Sequence, residues 1–301
     1  MRTLPLSASA VILGLVMAFV SHGLPFDAPH LVCALSVLLT AIMLQILSNY
    51  ANDLGDQISG VDKTHRKGRI SMVQQGLMTI RELKVATAVI AALTLLCGLA
   101  SVCACWWGDW AWIGAFLLLG ALAAGAAVGY TMGPSYSYLG LGDLFVFIFF
   151  GLVAVAGSEF MLAHATGAAG LLAGAGAGFS SIMVLNVNNL RDYLSDIEGG
   201  KKSLVVRMGL DNGRRYHLAL FLLCLASAAS SACLILSWHG LLILPFFVPL
   251  LKAALYASSS RHEGAALEPA MKATSLSASL VNVGLALLMI LASCGVLPQQ
   301  I

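Results

Sequence analysis

Nine continuous apolar runs dominate this sequence. They cover residues 4–24, 30–50, 83–105, 110–131, 144–165, 168–190, 216–236, 239–257 and 273–296. A bilayer core about 30 Å thick needs roughly 20 apolar residues per helix, and each run is close to that length. Only helices and closed barrels satisfy a backbone in lipid. A barrel shows alternating segments of about ten residues, and these runs do not alternate. The chain therefore reads as an all-α polytopic membrane protein with nine spans. Charged residues make up 10% of it, against about 25% in a soluble domain. Residues 1–301 read as one integral membrane domain with no separate soluble part. Disorder is excluded by the same apolar content. Nucleic-acid binding is excluded by a net charge of only +2. The first run is long for a signal-peptide core and reads as a retained helix.

Nine spans alternate the loops between two faces. All 16 basic residues then fall on one face, with the N-terminus. The positive-inside rule makes that face cytoplasmic and puts the C-terminus outside. Two Asp-rich cytoplasmic loops follow, 51–82 and 191–215. The seven cysteines form no metal-ligand spacing and read as small packing residues.

Most of the acids lie on the same face, in two clusters of similar design. The first is Asn49-Tyr50-Ala51-Asn52-Asp53-Leu54-Gly55-Asp56, followed by Asp62. On a continuing helix, Asn49, Asn52/Asp53 and Asp56 share one face. The second runs from Asn186 to Asp196, with Asn189, Asp192 and Asp196 again one face apart. Like carboxylates on one face repel unless a cation lies between them. Oxygen-rich, sulfur-free ligand sets suit Mg²⁺, held by a few carboxylates plus substrate phosphates. Basic residues follow each cluster: Lys63, Arg66, Lys67 and Arg69, then Lys201, Lys202 and Arg207. Carboxylates, Mg²⁺ and nearby Arg/Lys together form a diphosphate site. The alternative, solvated loop charges obeying topology, suits a single Asp-x-x-Asp better than two matching clusters.

At these residues the sequence resembles the UbiA superfamily of intramembrane aromatic prenyltransferases. The first motif is Asn52-Asp53-Leu54-Gly55-Asp56, with the later acid at Asp62 rather than four residues after Asp56; the second is Asp192 to Asp196. The run Asn186-Val187-Asn188-Asn189-Leu190-Arg191-Asp192, then Gly199 to Gly209, and the stretch Tyr136 to Asp143 resemble its 1,4-dihydroxy-2-naphthoate polyprenyltransferase branch. The resemblance implies a nine-helix bundle with a central, lipid-open cavity in the cell (inner) membrane. It implies polyprenyl diphosphate and 1,4-dihydroxy-2-naphthoate as substrates. Asp53, Asp56, Asp192 and Asp196 would hold Mg²⁺. Asn49, Asn52, Asn188, Asn189, Arg66, Lys67, Arg69, Lys201, Lys202, Arg207, Tyr138 and Asp143 would face the substrates. An electron-rich ring carbon would attack the cation-like allylic carbon, with loss of carboxylate and proton. Catalysis would rest on positioning and charge stabilisation in a dry cavity.

Other marked positions divide. Tyr136, Tyr138 and Asp143 read equally as cation-shielding and acceptor-orienting groups or as interfacial residues. Glu159 and His164 sit toward the outer end, where packing roles fit better. Gly170, Gly174 and Gly178, like Gly125 and Gly129, read as close-packing positions. Trp106, Trp107 and Trp110 read as an outer aromatic belt. 4-Hydroxybenzoate is the alternative acceptor. A transporter, the competing class, places ionisable groups near the midplane, not at helix ends. A phospholipid head-group transferase needs an Asp-Gly-x-x-Ala-Arg signature that is absent.

Overall fold

The computed structural model describes residues 3–59, 73, 76–129 and 141–297, without the side chains at 56, 58, 59, 123, 124 and 126–129. Every regular element among these residues is helical. In chain order they are α1 (Leu4–Ser21), α2 (Ala28–Ser59), α3 (Ile80–Trp106), α4 (Trp110–Gly129), α5 (Gly142–Ala163), α6 (Ala168–Arg191), α7 (Tyr193–Glu198), α8 (Leu204–Met208), α9 (Leu210–Leu236), α10 (Val248–Ser258) and α11 (Glu268–Ser293).

Local chemistry sets the helix starts. Thr79 and Glu82 form a capping box at α3: the Glu82 N–H donates to Thr79 Oγ1 at 3.2 Å, and the Thr79 N–H donates to Glu82 Oε2 at 2.8 Å. Asp27 accepts from the His30 N–H at 3.1 Å before α2. Proline stands in the first turn of α1, α10 and α11, where its missing N–H costs nothing.

Among the described residues, seven stretches are long and apolar enough to cross a membrane. The longest, Leu210–Ser258, has 49 residues. As one straight helix it would span about 73 Å, far more than a bilayer core. It doubles back instead. Ser237, at φ 54°, ends α9, and a 3₁₀ segment, Ser237–Phe247, returns against it. A Cβ at Gly240 would meet the backbone of Ala232 and Cys233. With α4, the described residues thus make nine helical passes, at the nine expected runs. The bounds shift by a few residues, most at α2, which continues to Ser59, and at α9, which begins at Leu210.

The bundle is organised around α6, which packs on α5, α9 and α11. Without a hydrophobic force between helices in lipid, close approach of small residues drives association. Here α5 meets α6 through glycine: a Cβ at Gly151 would lie 2.5 Å from Gly178 Cα and 2.5 Å from Gly174 O. That contact falls in a π-helical stretch of α5, Phe147–Gly157. Gly125 is different. Among the described residues nothing lies within 4 Å of a Cβ there.

Two expectations about the end remote from the motifs need correction. Trp106 is not a belt residue: it is 5% exposed and stacks on His164 at 3.8 Å, among Trp112, Phe116 and Phe160. Trp107 and Trp110 are exposed, as a belt requires. Cys33 and Cys105 are not free packing residues but a disulfide joining α2 to α3, with Cα atoms 5.5 Å apart. Both lie at the same end of antiparallel helices, a juxtaposition that a separation of 72 residues conceals.

Candidate active site at the motif end

The first motif rides on the unbroken C-terminal turns of α2. Asn49, Asn52, Asp53 and Asp56 therefore lie on one helical stripe. Asp53 is buried, at 4% exposure. Asn49 Nδ2 donates to the Gln45 carbonyl at 2.8 Å. Asn52 Oδ1 is buried and has no hydrogen-bond donor among the described residues. The segment read as a loop from residue 51 is thus helical as far as Ser59. Tyr138, Arg66, Lys67 and Arg69, with Asp62 and Lys63, lie outside the described residues.

The second motif straddles a break. α6 ends at Arg191, Asp192 leaves helical geometry (φ −92°, ψ 9°), and α7 resumes at Tyr193. The backbone still bridges the break: the Asp192 N–H donates to Asn188 O at 3.0 Å and the Asp196 N–H to Asp192 O at 2.8 Å. Asp192 and Asp196 thereby keep their one-turn spacing. Both are buried, as is Asn189.

A guanidinium holds this motif. Arg191 Nε and Nη2 each donate to an oxygen of Asp192 at 2.8 Å. Nη2 also donates to Asn188 Oδ1, and Nη1 to Glu268 Oε2, both at 2.7 Å. After α7, the Lys201 N–H donates to Asp196 O at 2.8 Å, and Lys201 Nζ stands 3.4 Å from Asp196 Oδ2. Lys202 is exposed, and its carbonyl accepts from Arg207 Nε at 3.2 Å. Residues 191–215 are therefore not an open loop but short helices, α7, α8 and the start of α9, strung with basic residues.

Asp143 opens α5 at the same end, and Tyr216 of α9 donates to its Oδ2 at 2.8 Å. Just below, Asn186 Nδ2 donates to Gly213 O at 3.1 Å and lies 3.2 Å from His217 Nδ1. The amide must donate to the carbonyl, so Nδ1 accepts and His217 carries its proton on Nε2.

The two motif helices reach one end of the bundle but are not packing partners. α2 lies against α1 and α3, and α6 against α5, α9 and α11. Among the described residues no three His, Cys, Asp or Glu side chains converge as a ready-made metal cluster. The donor set fits a hard cation: carboxylates and amides, no sulfur, with Asn52 Oδ1 a buried acceptor lacking a donor among the described residues.

Arg191, Glu268 and Tyr216 were not singled out as site residues from sequence. Arg191 carried a signal, a cation set directly inside an acidic motif. Glu268 carried none, lying 77 residues beyond Arg191.

Known proteins place this arrangement. The chain is 40% identical to 1,4-dihydroxy-2-naphthoate octaprenyltransferase of Escherichia coli (strain K12), over 94% of this chain and 90% of that protein. It is 34% identical to the Haemophilus influenzae protein of the same name, over 94% and 91%. Its backbone is similar to that of a UbiA homolog from Archaeoglobus fulgidus bound to GPP and Mg²⁺. The TM-score is 0.59 at 17% identity, covering 94% of this chain and 98% of that one. The UbiA prenyltransferase family profile matches residues 9–282. From a helical bundle with two acidic helix ends at one mouth to a profile match over nearly its whole length, the chain is an integral membrane protein of the UbiA prenyltransferase family.

Proposed function

We propose that this protein transfers a polyprenyl group from polyprenyl diphosphate to 1,4-dihydroxy-2-naphthoate, with loss of CO₂, in menaquinone biosynthesis. The observation that carries this reading is the near-full-length similarity to naphthoate octaprenyltransferases, joined to acidic motifs buried at one end of the bundle.

In this reading Asp53, Asp56, Asp192 and Asp196 would hold Mg²⁺, which would supply positive charge for the departing diphosphate. Asn49, Asn52, Asn188 and Asn189 orient the carboxylates and the phosphate oxygens. Lys201, Lys202, Arg207, Arg66, Lys67 and Arg69 neutralise the diphosphate. The allylic C–O bond breaks, its electron pair leaving with diphosphate, and a ring carbon of the naphthoate forms the new C–C bond. With attack at the carbon that bears the carboxyl group, the carboxyl proton leaves to solvent and release of CO₂ returns its bonding pair to the ring, which restores aromaticity. Tyr138 would shield the cationic carbon, and Asp143, held by Tyr216, would orient an acceptor hydroxyl. No covalent enzyme intermediate is needed; positioning and a dry mouth suffice. The motif end and the N-terminus face the cytoplasm and the C-terminus the outside, which the one-sided distribution of all basic residues supports.

Purified protein with a polyprenyl diphosphate, Mg²⁺ and each of two acceptors tests the reaction. Prenylated, decarboxylated naphthoate is the expected product. Product from 4-hydroxybenzoate alone would reassign the acceptor, and uptake into vesicles without conversion would make the protein a transporter.

A further inference from the structure

We infer that Glu268 and Arg191 form a positioning relay that sets how readily Asp192 takes a divalent cation. This rests on the reading of Asp192 as a metal-holding carboxylate.

Arg191 is buried, its side chain 6% exposed, and its guanidinium is used on every side. Nε and Nη2 form a fork on the two oxygens of Asp192, Nη2 reaches Asn188 Oδ1, and Nη1 meets Glu268 Oε2. The fork fixes the plane of the Asp192 carboxylate, because two parallel N–H···O bonds permit one orientation. It also carries a penalty. A guanidinium 2.8 Å from both oxygens offsets the charge that a cation needs.

Glu268 removes that penalty. It enters from the first turn of α11, the last span, and lies 2.7 Å from Nη1. The triad Asp192–Arg191–Glu268 then keeps one net negative charge while the carboxylate stays oriented. An interhelical staple needs only the Nη1–Glu268 bond. The fork onto the adjacent residue adds nothing to joining α6 and α11, but it does aim Asp192. Partners one bond removed from a metal ligand change metal affinity or activity by about 10–100-fold when altered.

The test uses full-length purified protein and an unreactive thiodiphosphate analogue of the prenyl donor. Mg²⁺ is titrated, and thermal stabilisation is read beside turnover with the true substrates. Glu268→Gln keeps size and hydrogen-bonding capacity but removes the second carboxylate charge beside Arg191. It is expected to raise the half-saturating Mg²⁺ concentration about tenfold in both readouts. Its melting temperature without Mg²⁺ should stay near the wild-type value, and turnover should recover at high Mg²⁺. An unchanged half-saturating Mg²⁺ concentration would reduce the pair to a staple and overturn the relay. Should Glu268→Gln not fold, Arg191→Lys carries the same test, since it keeps charge without the fork; a relay moves the Mg²⁺ dependence and a staple does not. Asp192→Asn separates the two levels of inference. Wild-type Mg²⁺ stabilisation and turnover in that variant would remove the metal role of Asp192 and the relay together. Loss there, with an unaltered Glu268→Gln, would remove the relay alone.

Discussion

The two ends of this bundle both bury acids, and they do so differently. At the end remote from the motifs, Glu159 is 1% exposed. Its Oε1 lies 3.0 Å from His22 Nε2, and its Oε2 accepts from Thr166 Oγ1 at 2.6 Å. These partners come from two segments, the turns after α1 and α5, and a Cβ at Gly170 would collide with the carboxylate. The group is closed in by packing. At the motif end, Asp192 and Asp196 stand at helix termini among cations, with Arg191 and Lys201 in contact. A buried acid in a membrane protein suggests function by default. The comparison refines that rule. An acid whose oxygens are both met by a hydroxyl and an imidazole holds helices together. Acids gathered with cations at helix ends are where the proposed diphosphate chemistry falls.

The strongest way to break this contrast is at the carboxylates. Asp53→Ala or Asp192→Ala should lower prenyl transfer by about a thousandfold or more, on the order of 4 kcal/mol of transition-state stabilisation, while the helical circular dichroism of the purified protein is retained. Wild-type turnover in either would dissolve the distinction between the ends. Lys201→Ala should act less strongly. Asp196 keeps its backbone bond from residue 201, so the expected change is roughly tenfold in KM for the prenyl diphosphate, one charge-assisted contact, with kcat little altered. Steady-state kinetics separates the two parameters.

Gly151→Val tests the seam that holds α6 at its height. A side chain there meets Gly178 and Gly174, and overpacking of this kind costs about 1–3 kcal/mol. Thermal unfolding in detergent should fall accordingly, with a several-fold loss of turnover as the second motif shifts. The smallest catalytic effect is expected at the remote end. Glu159→Ala strands His22 and Thr166 and should cost about 1–3 kcal/mol of stability, yet turnover per folded molecule should stay within about twofold. A large loss of kcat there would mean that the remote end takes part in chemistry.

Much of the fold was legible because lipid imposes it. Runs of about 20 apolar residues can form little else, and in the nine-span reading all the basic residues and most of the acids fall at one face. The acidic stripes were legible through helical spacing, and α2 does run unbroken through Asn49–Asp56. What stayed hidden depends on contacts between distant segments. Glu268 joins Arg191, and Tyr216 joins Asp143, across 77 and 73 residues. Trp106 sits inside because His164 returns to stack on it. The π-helical stretch Phe147–Gly157 has no compositional mark. Its i→i+5 bonds take more residues per turn, so an α-helical wheel misplaces Glu159 relative to Asp143. The break at Asp192 was equally silent in a pattern that reads as continuous.

One feature of α2 bears on how the membrane itself enters the chemistry. Its 32 residues make a rod of about 48 Å, some 18 Å more than the hydrocarbon thickness. The first acidic motif is therefore mounted on a rigid mast, and residue count sets its height above the acyl chains. A thicker bilayer would draw these carboxylates toward the hydrocarbon. A thinner one would lift them into bulk water, away from an isoprenoid anchored below. Lipid thickness thus becomes a tuning parameter for the meeting of a water-loving head group with a chain that never leaves the oil.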